Sequence, residues 1–66
     1  MSYYDYLFNI CEELSLVIED LHFGEACARA ESDDAAANRI AAEADKLSDI
    51  SDSIWDKACR AAQYDA

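Results

Sequence analysis

The sequence predicts an all-α fold, an antiparallel helical hairpin or a small helical bundle. Three observations carry that expectation. Proline is absent and glycine occurs once, at Gly24, so little in the chain interrupts a helix from within. Alanine, leucine and glutamate, all strong helix formers, recur throughout. Apolar residues return at alternating spacings of three and four over two long stretches, the period of one helix face. A chain of 66 residues is one domain, 1–66, close to the size at which a lone core is marginal.

The first helix is expected over about 3–22. Ser2 offers a capping hydroxyl, and Asp5, three residues on, suits the positive end of the helix dipole. Tyr3, Leu7, Ile10, Leu14, Val17 and Leu21 then form the main apolar face, and Tyr4, Cys11 and Ile18 widen it. Gly24 reads as the left-handed residue that closes this helix. Continuing through it would bring Glu25 onto the apolar face, so a break is expected there, followed by a short helical segment over 25–31. Ser32-Asp33-Asp34 reads as the next start, a capping hydroxyl followed by acids.

A long helix then covers about 33–63. Its apolar face is Ala37, Ile40, Ala44, Leu47, Ile54, Ala58 and Ala61, with Ser51 in one slot and Ile50 and Trp55 on either side. The phase holds from Ile40 to Ala61, which favours one continuous helix. The alternative is a break near 48–51, where weak formers cluster and Ser51 could cap a third helix. Tyr3, Tyr4, Tyr6 and Tyr64 stand at chain ends that meet in an antiparallel pair, as an aromatic plug or as a contact patch.

Fifteen acids against five bases give a net charge of −10, and the charge is patterned. Asp45, Asp49, Asp52 and Asp56 form one row on the second helix, roughly 16 Å long at about 1.5 Å per residue. Arg39, Lys46, Lys57 and Arg60 lie on a different side. Residues 1–28 hold six acids, among them Glu12, Glu13, Glu19 and Asp20, and no Lys or Arg. Phe8, Leu16 and Phe23 point outward among these acids. A helix apolar on more than one side packs against more than one neighbour. The extra surface meets residues 25–31, a second copy of the chain, or another protein. The aspartate row is either a solvated face or a row of carboxylates offered to a basic partner.

Composition and spacing argue against several classes. Too few bases are present for direct binding of nucleic acid. No stretch approaches the roughly 20 apolar residues of a membrane span. Cys11, Cys27 and Cys59 are odd in number and unpaired in spacing, which points to reduced thiols and a cytoplasmic setting, and the first residues lack the basic start of a secretory signal. His22, the single histidine, has no cysteine at helical contact spacing; it is expected at the carbonyl end of the first helix. No metal-ligand spacing, calcium loop or phosphate-binding glycine loop occurs, so neither cofactor, metal nor catalysis is expected.

A short, acidic, proline-free helical chain resembles the small phage-encoded inhibitors that include anti-CRISPR proteins and other nucleic-acid mimics. The resemblance covers size, acidity and helical build, and no motif. It implies a partner such as a CRISPR effector complex or a nuclease, whose basic surface would be occluded in the host cytoplasm. Under it, Asp45, Asp49, Asp52 and Asp56 are the first binding candidates, with Glu12, Glu13, Glu19 and Asp20 next and Phe8, Leu16 and Phe23 adding apolar contact. The rival reading is a structural or adaptor module that pairs into a four-helix bundle, with acidity serving solubility alone.

Overall fold

The computed structural model describes the backbone of residues 2–65 and the side chains of residues 2–63. Two helices account for nearly all of it: α1, Tyr3–Ala30, and α2, Asp34–Asp65. They pack antiparallel along their length as a hairpin, measuring 51 × 16 × 10 Å. An assembly only two helices wide has a seam rather than an interior, and among the described residues no large side chain is fully buried.

Ser2 caps α1 as expected: its hydroxyl accepts from the Asp5 amide at 3.4 Å and donates to the Asp5 carboxylate at 2.9 Å. The expected end at Gly24 is corrected. The helix runs through it to Ala30, and the 25–31 segment is the last part of α1 rather than a separate turn. Gly24 does not take the left-handed conformation; Ser32 does, with φ 62°. Around Ser32 the chain closes the helix with two characteristic bonds, Asp33 N–H to the Ala28 carbonyl at 2.9 Å and Ser32 N–H to Arg29 at 3.0 Å. The next cap shifts by one residue from the expected Ser32 to Asp33, whose carboxylate accepts from the Ala36 amide at 3.1 Å.

Glu25, the residue that made continuation look unfavourable, does sit half-buried near the seam. Its charge is answered locally. Arg29 donates to one carboxylate oxygen through Nε at 3.2 Å and Nη2 at 3.1 Å, and His22 Nδ1 lies 3.5 Å from the other. These contacts, Arg29 first, hold the Glu25 carboxyl below the ordinary carboxylate range. His22 therefore serves Glu25 in mid-helix rather than a helix end. Gly24 contributes a close approach: a Cβ there would stand 3.8 Å from Ile40 Cδ1.

The seam of α2 is the expected one. Ala37, Ala44 and Ala58 are buried, Ile40, Leu47, Ser51, Ile54 and Ala61 half-buried, and the helix continues unbroken through 48–53. The seam of α1 is rotated from the expected face. Leu7 and Cys11 are buried and Ile10, Leu14, Ile18 and Leu21 half-buried, whereas Tyr3 and Val17 are exposed. Leu7, Leu14 and Leu21 fit either face, so the flanking stripe decides. Turning Cys11 inward puts a small side chain where α2 comes close, its Sγ 3.6 Å from the Ser51 carbonyl. The same rotation brings Phe8 onto Trp55. The edge-to-face contact of these rings partly covers both and offsets the exposure of Tyr3 and Val17.

The aromatic plug does not form as expected from Tyr3 and Tyr6, which are both exposed; Tyr4 packs instead on Phe8, and the Tyr64 side chain lies outside the described residues. No helix among the described residues is long and apolar enough to cross a membrane.

The misplaced glycine gives a direct prediction. Gly24→Ala adds an ordinary contact inside a helix and removes chain entropy, worth about 0.5–1 kcal/mol. Ser32→Gly relieves a left-handed residue and should add a similar amount. The double variant should melt several degrees higher by circular dichroism. A lower melting temperature for Gly24→Ala would show that α1 ends at Gly24.

Candidate binding surfaces of the hairpin

The rotation of α1 divides the surface into two unlike flanks. On the first, Phe8 meets Trp55 edge to face with ring centroids 4.8 Å apart, and Tyr4 stacks behind Phe8 at 6.2 Å. Phe8 is half-buried, which corrects the outward placement expected of it. An open groove runs along this flank, lined by Phe8, Cys11, Ser15, Ser51 and Trp55, with Glu12 on the α1 wall and Asp52 on the α2 wall. Trp55 is still 53 % exposed. A large aromatic held at one edge and wet at the other is a common interface anchor.

Acids frame this groove from both helices. Asp5, Glu12 and Glu19 follow one another at seven-residue intervals along α1, and Asp45 and Asp52 do so along α2, with Asp49 and Asp56 one strip further out. All seven are exposed. Asp56 pairs with Arg60 at 3.0 Å; Asp45, Asp49 and Asp52 have no ion pair among the described residues. Besides Arg60, the basic side chains towards this flank among the described residues are Arg29 and His22, which stand near the connection and are engaged with Glu25.

Leu16 and Phe23 lie on the outer edge of α1, away from α2, at 60 % and 73 % exposure. The neighbours of Leu16 one turn away in either direction are Glu12, Glu13, Glu19 and Asp20. The structure thus gathers these sequence-predicted residues around one apolar side chain; Glu12 and Glu19 also face the groove flank shared with Asp45 and Asp52, whereas Glu13 and Asp20 turn away from it.

The second flank carries Tyr3, Ile10 and Val17 from α1 and Ile50 from α2, bordered by Glu13 and Asp20 on one helix and by Lys46, Lys57, Arg39 and Arg60 on the other. Glu43 pairs there with Lys46 at 3.5 Å, as its spacing predicts. Sequence reasoning placed Trp55 and Ile50 beside the seam without assigning either a role. The signal for Trp55 was present, a lone tryptophan between Asp52 and Asp56, but its partner Phe8 depends on how α1 rotates.

Cys11 is buried, Cys59 half-buried and Cys27 exposed, all as free thiols. No cluster of three or more potential metal ligands exists among the described residues. Compared with protein-family models, curated proteins and solved structures, the chain matches none.

The Phe8–Trp55 contact can be read directly, because Trp55 is the single tryptophan. Phe8→Ala should shift its fluorescence to longer wavelength and destabilise the hairpin by about 1–2 kcal/mol, an edge-to-face pair adding about 0.5–1.5 kcal/mol to the area lost. An unchanged emission maximum would mean that the two rings do not touch.

Proposed function

We propose that this protein is an acidic binding module that inhibits another protein by covering its basic, nucleic-acid-binding surface. The observation that supports this reading most is the groove flank, where carboxylates from both helices frame a partly wet Trp55 and the bases that approach, Arg29 and Arg60, are each paired with an acid. Asp5, Glu12 and Glu19 span roughly 21 Å of α1 and overlap the α2 row, so the flank carries about one charge per 3 Å, against about one per 1.7 Å of duplex DNA. A rigid array at that density attracts a Lys/Arg groove at long range and speeds its capture. The aromatic pair then supplies a desolvated anchor that a phosphate backbone lacks. Leu16 and Phe23, ringed by Glu12, Glu13, Glu19 and Asp20, extend the contact round the outer edge of α1. A CRISPR effector complex or a nuclease, the partners implied by the resemblance to small phage-encoded inhibitors, presents such a groove.

Affinity capture with the full chain tests the proposal. Captured proteins should bind nucleic acid, be displaced by duplex DNA or RNA, and elute as the salt is raised. Changing Asp45, Asp49, Asp52 and Asp56 together to Asn should weaken capture at least tenfold without altering helix content. Capture that survives ~1 M salt, where the screening length is about 3 Å, would contradict the reading. Equal capture by the Asn variant would contradict it too.

A further inference from the structure

The groove beside Trp55 is built for one kind of cation. It holds the edge-to-face aromatic pair, and each wall brings one carboxylate, Glu12 from α1 and Asp52 from α2. The seam sets these acids opposite each other. Cys11 Sγ meets the Ser51 carbonyl at 3.6 Å, and Glu12 and Asp52 are the next residue along each helix. In an antiparallel pair they therefore stand within about 3 Å of one level. Neither has an ion pair among the described residues.

The lining is also biased towards acceptors. Two of its donors are engaged within the hairpin. The Ser15 hydroxyl donates to the Cys11 carbonyl at 3.0 Å, and the Cys11 thiol donates to the Ser51 carbonyl. The Ser15 oxygen and both carboxylates are left to accept from a ligand. Trp55 keeps 53 % of its surface exposed beside them. The group that fits is cationic, flat enough to lie on an indole ring, and donates without accepting.

We propose that this groove is a guanidinium site, taking one arginine side chain of the partner's basic surface onto Trp55 between Glu12 and Asp52. It rests on the reading above, that the flank meets a nucleic-acid-binding protein, and names the side chain it takes. A guanidinium carries its donors in a planar fork, so its edges reach carboxylates on two walls while its face lies on the ring. It is also more weakly hydrated than the ammonium of lysine, so an aromatic wall replaces its water at lower cost. In the uncovered partner that arginine holds a phosphate, and the opposed carboxylates offer it a comparable set of oxygens.

Trp55 is the single tryptophan and reports on its own site. The full chain is titrated with tryptophan-free hexa-arginine and hexa-lysine peptides at about 0.15 M salt. Hexa-arginine should bind roughly fivefold tighter or better and change the Trp55 emission. Glu12→Gln with Asp52→Asn should cancel that preference with helix content retained. Glu13→Gln with Asp20→Asn, the same loss of charge turned away from the groove, should keep it. Trp55→Leu, followed by calorimetry, should cancel it too. Equal binding of the two peptides, or a preference that survives Glu12→Gln with Asp52→Asn, would overturn the site. If the peptides bind alike while a basic protein is still captured and released by duplex DNA, the arginine site falls and the inhibitor reading stands. If the arginine preference holds and capture fails, the site stands and the inhibitor reading falls.

Discussion

The structure depends on one constraint, the close approach of two helices along a seam of small residues. Ala37, Ala44 and Ala58 are buried at seven-residue intervals, and Ser51 fills the slot between Ala44 and Ala58. Side chains this small let the backbones come near, so the face of α1 that meets them must also be small somewhere. Cys11 satisfies that against Ser51. Ile10 or Val17 in the same position would hold the helices apart. The rotation of α1 follows from this, and with it the meeting of Phe8 and Trp55 and the exposure of Val17.

Much of the fold was legible because helical periodicity is a strong signal when nothing interrupts it. The α2 seam could be read residue by residue, since its polar and apolar strips do not compete. On α1 two stripes competed, one through Ile10 and Val17 and one through Cys11 and Ile18, and the larger apolar residues pointed to the wrong one. Hydrophobicity ranks faces by transfer from water, whereas a close seam ranks them by fit. Gly24 misled for a related reason. Its local preference marks a helix end, but the Glu25–Arg29 pair offsets the cost of continuing.

The surfaces were legible in part. The aspartate row of α2 and the separation of its bases follow from spacing alone and are as expected. Which acids of α1 share a face with that row does not, because it depends on the rotation just described. Glu12 and Glu19 fall towards the α2 acids, Glu13 and Asp20 towards the opposite flank. A rotation of one residue, about 100°, exchanges them, and with them which pair of acids joins the α2 row. The proposed acidic interface thus descends from a single packing choice.

That choice is tested most directly by the reactivity of the three native cysteines. With Cys11 in the seam, Cys59 at its edge and Cys27 on the surface, a thiol reagent should modify Cys27 at the rate of an unfolded peptide, Cys59 more slowly, and Cys11 only through unfolding of the hairpin, its rate rising with denaturant in step with loss of helix. Peptide mapping of the modified sites gives the three rates from one unaltered protein. If Cys11 reacts as fast as Cys27 under native conditions, α1 faces α2 with Ile10 and Val17 instead, and the grouping of Glu12 and Glu19 with the α2 aspartates beside Trp55 is wrong.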